Sequence, residues 1–182
     1  MKNILMIDIE TTGNRPGCRV LSFAAFGFSK TGEQVHIYKR LNAAEQSTRG
    51  LFDDKETIDW WKSQNPAIRD EAFSGTENTE IAIAEFKTFF YKNFSTAYGS
   101  GFQVWCCGAD FDFPILKKLF NVYGFDLPWK YFHQCDYRTI RKLFPEIEAA
   151  EKNEGKHSAL EDVMAQMRGL REFFATHPEA AR

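Results

Sequence analysis

Leu5-Met6-Ile7-Asp8-Ile9-Glu10-Thr11-Thr12-Gly13 is the stretch on which the fold of this chain turns. An apolar run near the N-terminus has the pattern of a buried strand. Two acids break into it at positions i and i+2. On a strand those positions share one face and sit roughly 7 Å apart along it. Two unpaired carboxylates on a buried strand are costly, so a neutralising partner is expected. No Lys or Arg lies between Lys2 and Arg15 to provide one locally. A divalent cation is the simplest partner, because Mg²⁺ and Mn²⁺ prefer carboxylate oxygen. Two acids at a fraying strand end are the plainer alternative.

Outward from this stretch, Asn14-Arg15-Pro16-Gly17 has turn composition. Val20 to Phe28 reads as a second buried strand. Ser29-Lys30-Thr31-Gly32 reads as a hairpin turn and Gln34 to Tyr38 as a third, antiparallel strand. Residues 42 to 56 are polar and suit a loop or short helix. Thr57 is placed to cap a helix carrying Ile58, Trp60 and Trp61, and Pro66 to open another over Ala67 to Ala72. Thr79 to Phe90 has helical spacing, and Phe102 to Cys107 reads as a strand. Asp112 to Tyr123 reads as a helix whose first turn holds Pro114. Cys135 to Phe144 and Ser158 to Phe174 are the last predicted helices. Glu146 to Lys156 is expected as a charged loop and Thr176 to Arg182 as a frayed tail. Strands first, then helices alternating with strands, predict one mixed α/β sheet flanked by helices. The expected organisation is a single domain over 1–175 with a tail over 176–182.

The 182 residues suit one core, and the net charge of −2 offers no general field for nucleic acid. Such a partner would need a local basic patch or bound cations. Cys18, Cys106, Cys107 and Cys135 contain no C-x-x-C pair, so free thiols and a cytoplasmic setting are expected. Asp8 and Glu10 end the first apolar run too early for a signal peptide, and no apolar stretch is long enough to span a membrane.

Two further acidic segments stand at element edges. Asp110 and Asp112 follow Gly108, where a strand gives way to a helix. Asp110 suits a helix-cap or dipole role. Asp112, between Phe111 and Phe113, suits a half-buried position where a carboxylate wants a cation. The third segment is His157-Ser158-Ala159-Leu160-Glu161-Asp162. Ser158 and Glu161 have the spacing of a capping box. That sets His157 just before the helix and Asp162 about one turn into it. Asp8, Glu10, Asp112 and Asp162 could hold two Mg²⁺ or Mn²⁺ ions about 4 Å apart. A histidine of near-neutral pKa could take a proton from bound water. The chemistry of such a set is phosphodiester hydrolysis.

Asp8-Ile9-Glu10-Thr11-Thr12-Gly13, Phe111-Asp112 and His157 through Asp162 resemble the three motifs of the DEDD exonucleases, in the subclass with histidine (DEDDh). Within that DnaQ-like superfamily the likeness is to the phage exonuclease A and mycobacterial 3'-5' exoribonuclease group. It is carried also by Gly17 to Phe28, Trp60-Trp61, and Val104-Trp105 running into Gly108 to Asp112. The resemblance implies a ribonuclease H-like fold with a five-stranded mixed sheet. It implies a two-metal 3'–5' exonuclease with His157 as general base and a homodimeric state. Other members often carry Gly-Asn where this chain has Cys106-Cys107, and Ser where it has Asp110. The asparagine can contact substrate, and this chain has none there.

The substrate is expected to be single-stranded DNA or RNA, or a 3' overhang. By resemblance, Thr11 and Thr12 touch the terminal sugar and Trp61 stacks on a base, with a core role for Trp61 the plain alternative. Arg138, Arg141 and Lys142 share one helix face and could meet phosphates. The rival readings are an endonuclease of the same fold, a binding module without catalysis, and a purely structural partner.

Overall fold

The computed structural model describes residues 3–94, 101–147 and 157–181. Five strands form one sheet in the order β3-β2-β1-β4-β5. They are β1 (Ile4–Thr11), β2 (Val20–Phe28), β3 (Gln34–Arg40), β4 (Gln103–Cys106) and β5 (Gln134–Asp136). β2 runs antiparallel to β1 and to β3, while β4 is parallel to β1 and to β5. The central strand is therefore the one carrying the two acids.

Its side chains alternate between two cores. Leu5, Ile7 and Ile9 join an aromatic-rich cluster with Phe23, Phe86, Phe90, Phe113 and Phe120. That cluster is built largely on α4 (Thr79–Asn93) and α5 (Ala109–Val122). Ile4 and Met6 point the other way, into a cluster with Val163, Met167, Leu170 and Phe173. Those residues belong to α7 (Ala159–Thr176), the last long helix. Asp8 and Glu10 continue the Ile4–Met6 face by the period of 2, which carries them under the same helix.

The remaining helices are short: α1 (Ala43–Gln46), α2 (Lys55–Ser63), α3 (Pro66–Ala72) and α6 (Tyr137–Leu143). Among the described residues no helix is long and apolar enough to cross a membrane.

Several expectations need correction. Helix α2 is capped by Asp54, which accepts from the Glu56 amide, so it opens before Thr57. Helix α5 starts at Ala109, a turn earlier than read, and holds Pro114 in its interior at the loss of one backbone hydrogen bond. The stretch Cys135 to Phe144 is not one helix. Gln134–Asp136 is a strand beside β4, and Asp136 then caps α6 through the Arg138 amide. Three residues are too few for alternation to be visible. Ser158 sits at the N-cap of α7 but makes no side-chain capping bond, so the expected capping box is not formed. The tail is not simply frayed: Pro178–Ala181 form a 3-10 turn, and His177 stacks on Phe173 with ring centroids 4.9 Å apart. The predicted charged loop falls outside the described residues from 148 to 156.

Candidate active site

The site lies at the C-terminal ends of β1 and β4. The loop leaving β1 is tightly packed. A Cβ on Gly13 would lie 2.7 Å from the Cβ of Cys18, so only glycine fits the Thr11-Thr12-Gly13 turn. Thr11 Oγ1 donates to the Gly13 carbonyl at 2.6 Å. Thr12 Oγ1 donates to the Phe52 carbonyl at 3.2 Å, and the Thr12 carbonyl accepts from the Asp54 amide at 2.8 Å. Both threonines are buried, and their hydroxyls are committed to this loop. Each hydroxyl hydrogen is thus directed at a backbone carbonyl of this loop.

Asp8, Glu10 and Asp162 bring a carboxylate oxygen each to within 4.8 Å of one another. β1 presents the first two. α7 presents Asp162 from its first turn, where the Asp162 amide donates to the Ser158 carbonyl at 2.9 Å.

Asp112 stands beside the group. It comes from α5, on the opposite layer of the sheet, and is 2% exposed. It reaches the site because β4 is short: its pairing with β1 ends at Met6 and Trp105. Beyond that point the Asp112 carboxylate occupies the gap, accepting from the Cys106 thiol and the Ile9 amide. Gly108, with φ of 131°, makes the turn that delivers α5 there.

The electrostatics follow from this crowding. Burial pushes Asp8 well above the ordinary carboxylate range, and Asp112, Glu10 and Asp162 add repulsion. Glu10 is raised to about 8, by burial first and then by Asp162 and Asp112. Asp112 is raised to about 7 by burial, against the lowering effect of its Cys106 hydrogen bond. Near neutral pH these groups resist ionising together. A hard cation with carboxylate ligands removes that conflict, and the all-oxygen donor set fits one. The donor chemistry is that of Mg²⁺, Ca²⁺ or Mn²⁺ rather than of a soft metal.

His157 precedes α7 with φ of 43°, a left-handed conformation that histidine adopts more readily than most residues. Its ring stands edge-on to Trp60, with centroids 5.0 Å apart. Of the two tryptophans, Trp61 takes the core alternative and Trp60 is the exposed one. Trp61 is 1% exposed, and its indole N–H donates to the Thr11 carbonyl at 2.8 Å. It buttresses the acidic strand and cannot stack on a base. Trp60 is 42% exposed beside His157. Helical rotation alone could not say which indole faced inward; the Thr11 carbonyl at the strand's end, which accepts from Trp61, decides it.

Sequence reading missed two further residues. Gln166, one turn past Asp162, donates from Nε2 to Asp8 Oδ1 at 3.1 Å. Cys106 serves Asp112 through its thiol. An i, i+4 relation to Asp162 within an apolar helix face was the available signal for Gln166. Arg138 is exposed and donates to the Cys107 carbonyl at 2.7 Å, on the flank where a Cβ at Gly108 would meet its guanidinium. Asp110 is exposed in the first turn of α5, as a dipole partner would be.

The sequence model described as the 3'-5' exoribonuclease Rv2179c-like domain matches residues 3–174, nearly the whole chain. The chain belongs to that family. It is thus a member of the DnaQ-like 3'-5' exonucleases, phosphodiester hydrolases by class. It is similar to the exodeoxyribonuclease of Enterobacteria phage T4, at 30% identity over 158 residues covering 74% of this chain and 68% of that one. Among solved structures it is similar to E. coli exonuclease I in complex with a dA16 oligonucleotide. The TM-score is 0.64 at 18% identity, covering 97% of this chain and 41% of exonuclease I. This chain thus spans about two fifths of the exonuclease I chain. Exonuclease X in complex with 5' overhanging duplex DNA matches with a TM-score of 0.54 at 13% identity, covering 95% of this chain and 92% of that one. The fold is therefore ribonuclease H-like, as the sequence motifs implied.

Proposed function

We propose that this chain removes nucleotides from the 3' end of single-stranded nucleic acid or of a 3' overhang, with two Mg²⁺ or Mn²⁺ ions held by Asp8, Glu10, Asp112 and Asp162. The observation that carries this reading is the convergence of three carboxylates from β1 and α7, with a fourth from α5 beside them, on one point at the C-terminal end of the central strand. When bound, such ions lower the pKa of water and steady the leaving oxygen. The chain's own residues do the rest. Asp8 and Glu10 are fixed by the strand, and Trp61 locks that strand's exit. His157, outside the acidic cluster and held against Trp60, is the general base. Trp60 offers its exposed ring to a base near the 3' end, which requires no sequence readout. Arg138, beside Asp112 and exposed, is the phosphate contact on the α6 side.

The relatives include an exodeoxyribonuclease, and the family is described as exoribonucleases, so both DNA and RNA belong in the test. The homodimer implied by resemblance gains no support from these relatives, and a cytoplasmic setting remains a proposal drawn from the thiols. Matched DNA and RNA oligomers labelled at the 5' end should be shortened one nucleotide at a time with Mn²⁺, and left intact with a chelator. Discrete internal fragments would instead identify an endonuclease. Tight binding of the oligomers without any cleavage would identify a binding module.

A further inference from the structure

Helix α7 lays one face along β1 and β2. Val163, Met167 and Leu170 make that face apolar, and all are fully buried. Gln166 interrupts it. The side chain is 8% exposed, and its Nε2 donates to Asp8 Oδ1 at 3.1 Å. Its Oε1 is buried with no hydrogen-bond partner among the described residues. An amide oxygen left in that state has lost its water and gained no partner, which destabilises the fold. Packing alone is better served there by methionine or leucine, like the residues around it. The reverse amide orientation gives no relief, since it sets the amide nitrogen in the same unpartnered place.

Carboxylates that ligate metals are commonly held by a second layer of hydrogen bonds, which fixes their rotation. Gln166 is placed for that task, four residues after Asp162 on the same helix face. We infer that Gln166 is a positioning residue of the metal centre: its amide N–H sets the rotation of the Asp8 carboxyl, and its unpaired oxygen accepts a hydrogen from water that enters with the ion. The inference rests on the metal-dependent reading above and deepens it. It separates two effects that coincide for an ordinary buried residue, because the amide is a burden to the metal-free protein and an asset to the loaded one.

The test is Gln166→Met in the full chain, which keeps length and removes both hydrogen-bonding atoms. Metal-free protein is melted, and Mn²⁺ is titrated into it by calorimetry beside the wild type. The variant should melt at the wild-type temperature or higher, yet bind Mn²⁺ about 10- to 100-fold more weakly. Mn²⁺ affinity equal to wild type overturns the inference, whatever the melting temperature. If the methionine variant does not fold, Gln166→Leu is read by the same two measurements. A wild-type protein that takes up no Mn²⁺ at all overturns the metal-dependent reading itself, and the inference with it. That result is distinct from equal binding by both proteins.

Discussion

The two faces of β1 use the same alternation for opposite ends. Leu5, Ile7 and Ile9 face α4 and α5 and keep that face apolar as far as Ile9. Ile4 and Met6 begin the other face in the same way, and then Asp8 and Glu10 replace them. Helix α7 changes in step. Met167, Leu170 and Phe173 lie in the core with Ile4 and Met6, while Gln166 and Asp162 meet the acids. One layer is thus core at one end and site at the other, whereas the opposite layer is core beneath Leu5, Ile7 and Ile9 and reaches the site through Asp112 of α5. A strand can carry a costly charge cluster when its reverse side, and half of its own side, are packed well enough to hold it still.

That contrast can be broken from either side. The largest effect is expected at the acids: Asp8→Asn should abolish Mn²⁺-dependent cleavage in a nuclease assay, while the metal-free protein melts no lower than wild type. Removing a buried repelled charge relieves strain in the fold. Next is His157→Ala, which should slow single-turnover cleavage by roughly 10²–10⁴-fold and flatten its pH dependence. An unchanged rate would take His157 out of the base role. On the reverse face, Leu5→Ala should cost about 2–5 kcal/mol in denaturant unfolding. Cleavage per folded molecule should hold, because no acid is moved. The smallest effect is expected at the rim: Trp60→Ala should weaken oligomer binding by about 1–3 kcal/mol, while Trp61→Ala should instead lower the melting temperature. Normal affinity in the Trp60 variant would move the stacking platform elsewhere.

Much of this was legible in the sequence where local pattern and chemistry coincide. Apolar runs and turn residues outline β1, β2 and β3 closely. The motif acids Asp8, Glu10 and Asp162 do meet, since a strand end and the first turn of a helix leave little freedom over where side chains go. What was not legible depends on partners distant in sequence. β5 has only three residues and exists because β4 offers an edge to pair with. The inward tryptophan is chosen by the Thr11 carbonyl 50 residues earlier. Gln166 looks like an isolated polar residue until Asp8, 158 residues away, is brought against it.

The measurement that bears most directly on the acidic face is the melting temperature of metal-free protein from pH 5 to pH 8, repeated with saturating Mn²⁺. Glu10 is raised from 4.5 to about 8 and Asp112 from 3.8 to about 7, so across this range the folded state binds more protons than the unfolded chain. Stability must then fall as pH rises through the window. Mn²⁺ should oppose that fall, adding about 2.7 kcal/mol at pH 8 when its free concentration is about 100 times Kd. A metal-free profile that stays level to pH 8 and coincides with the Mn²⁺ profile would contradict the account.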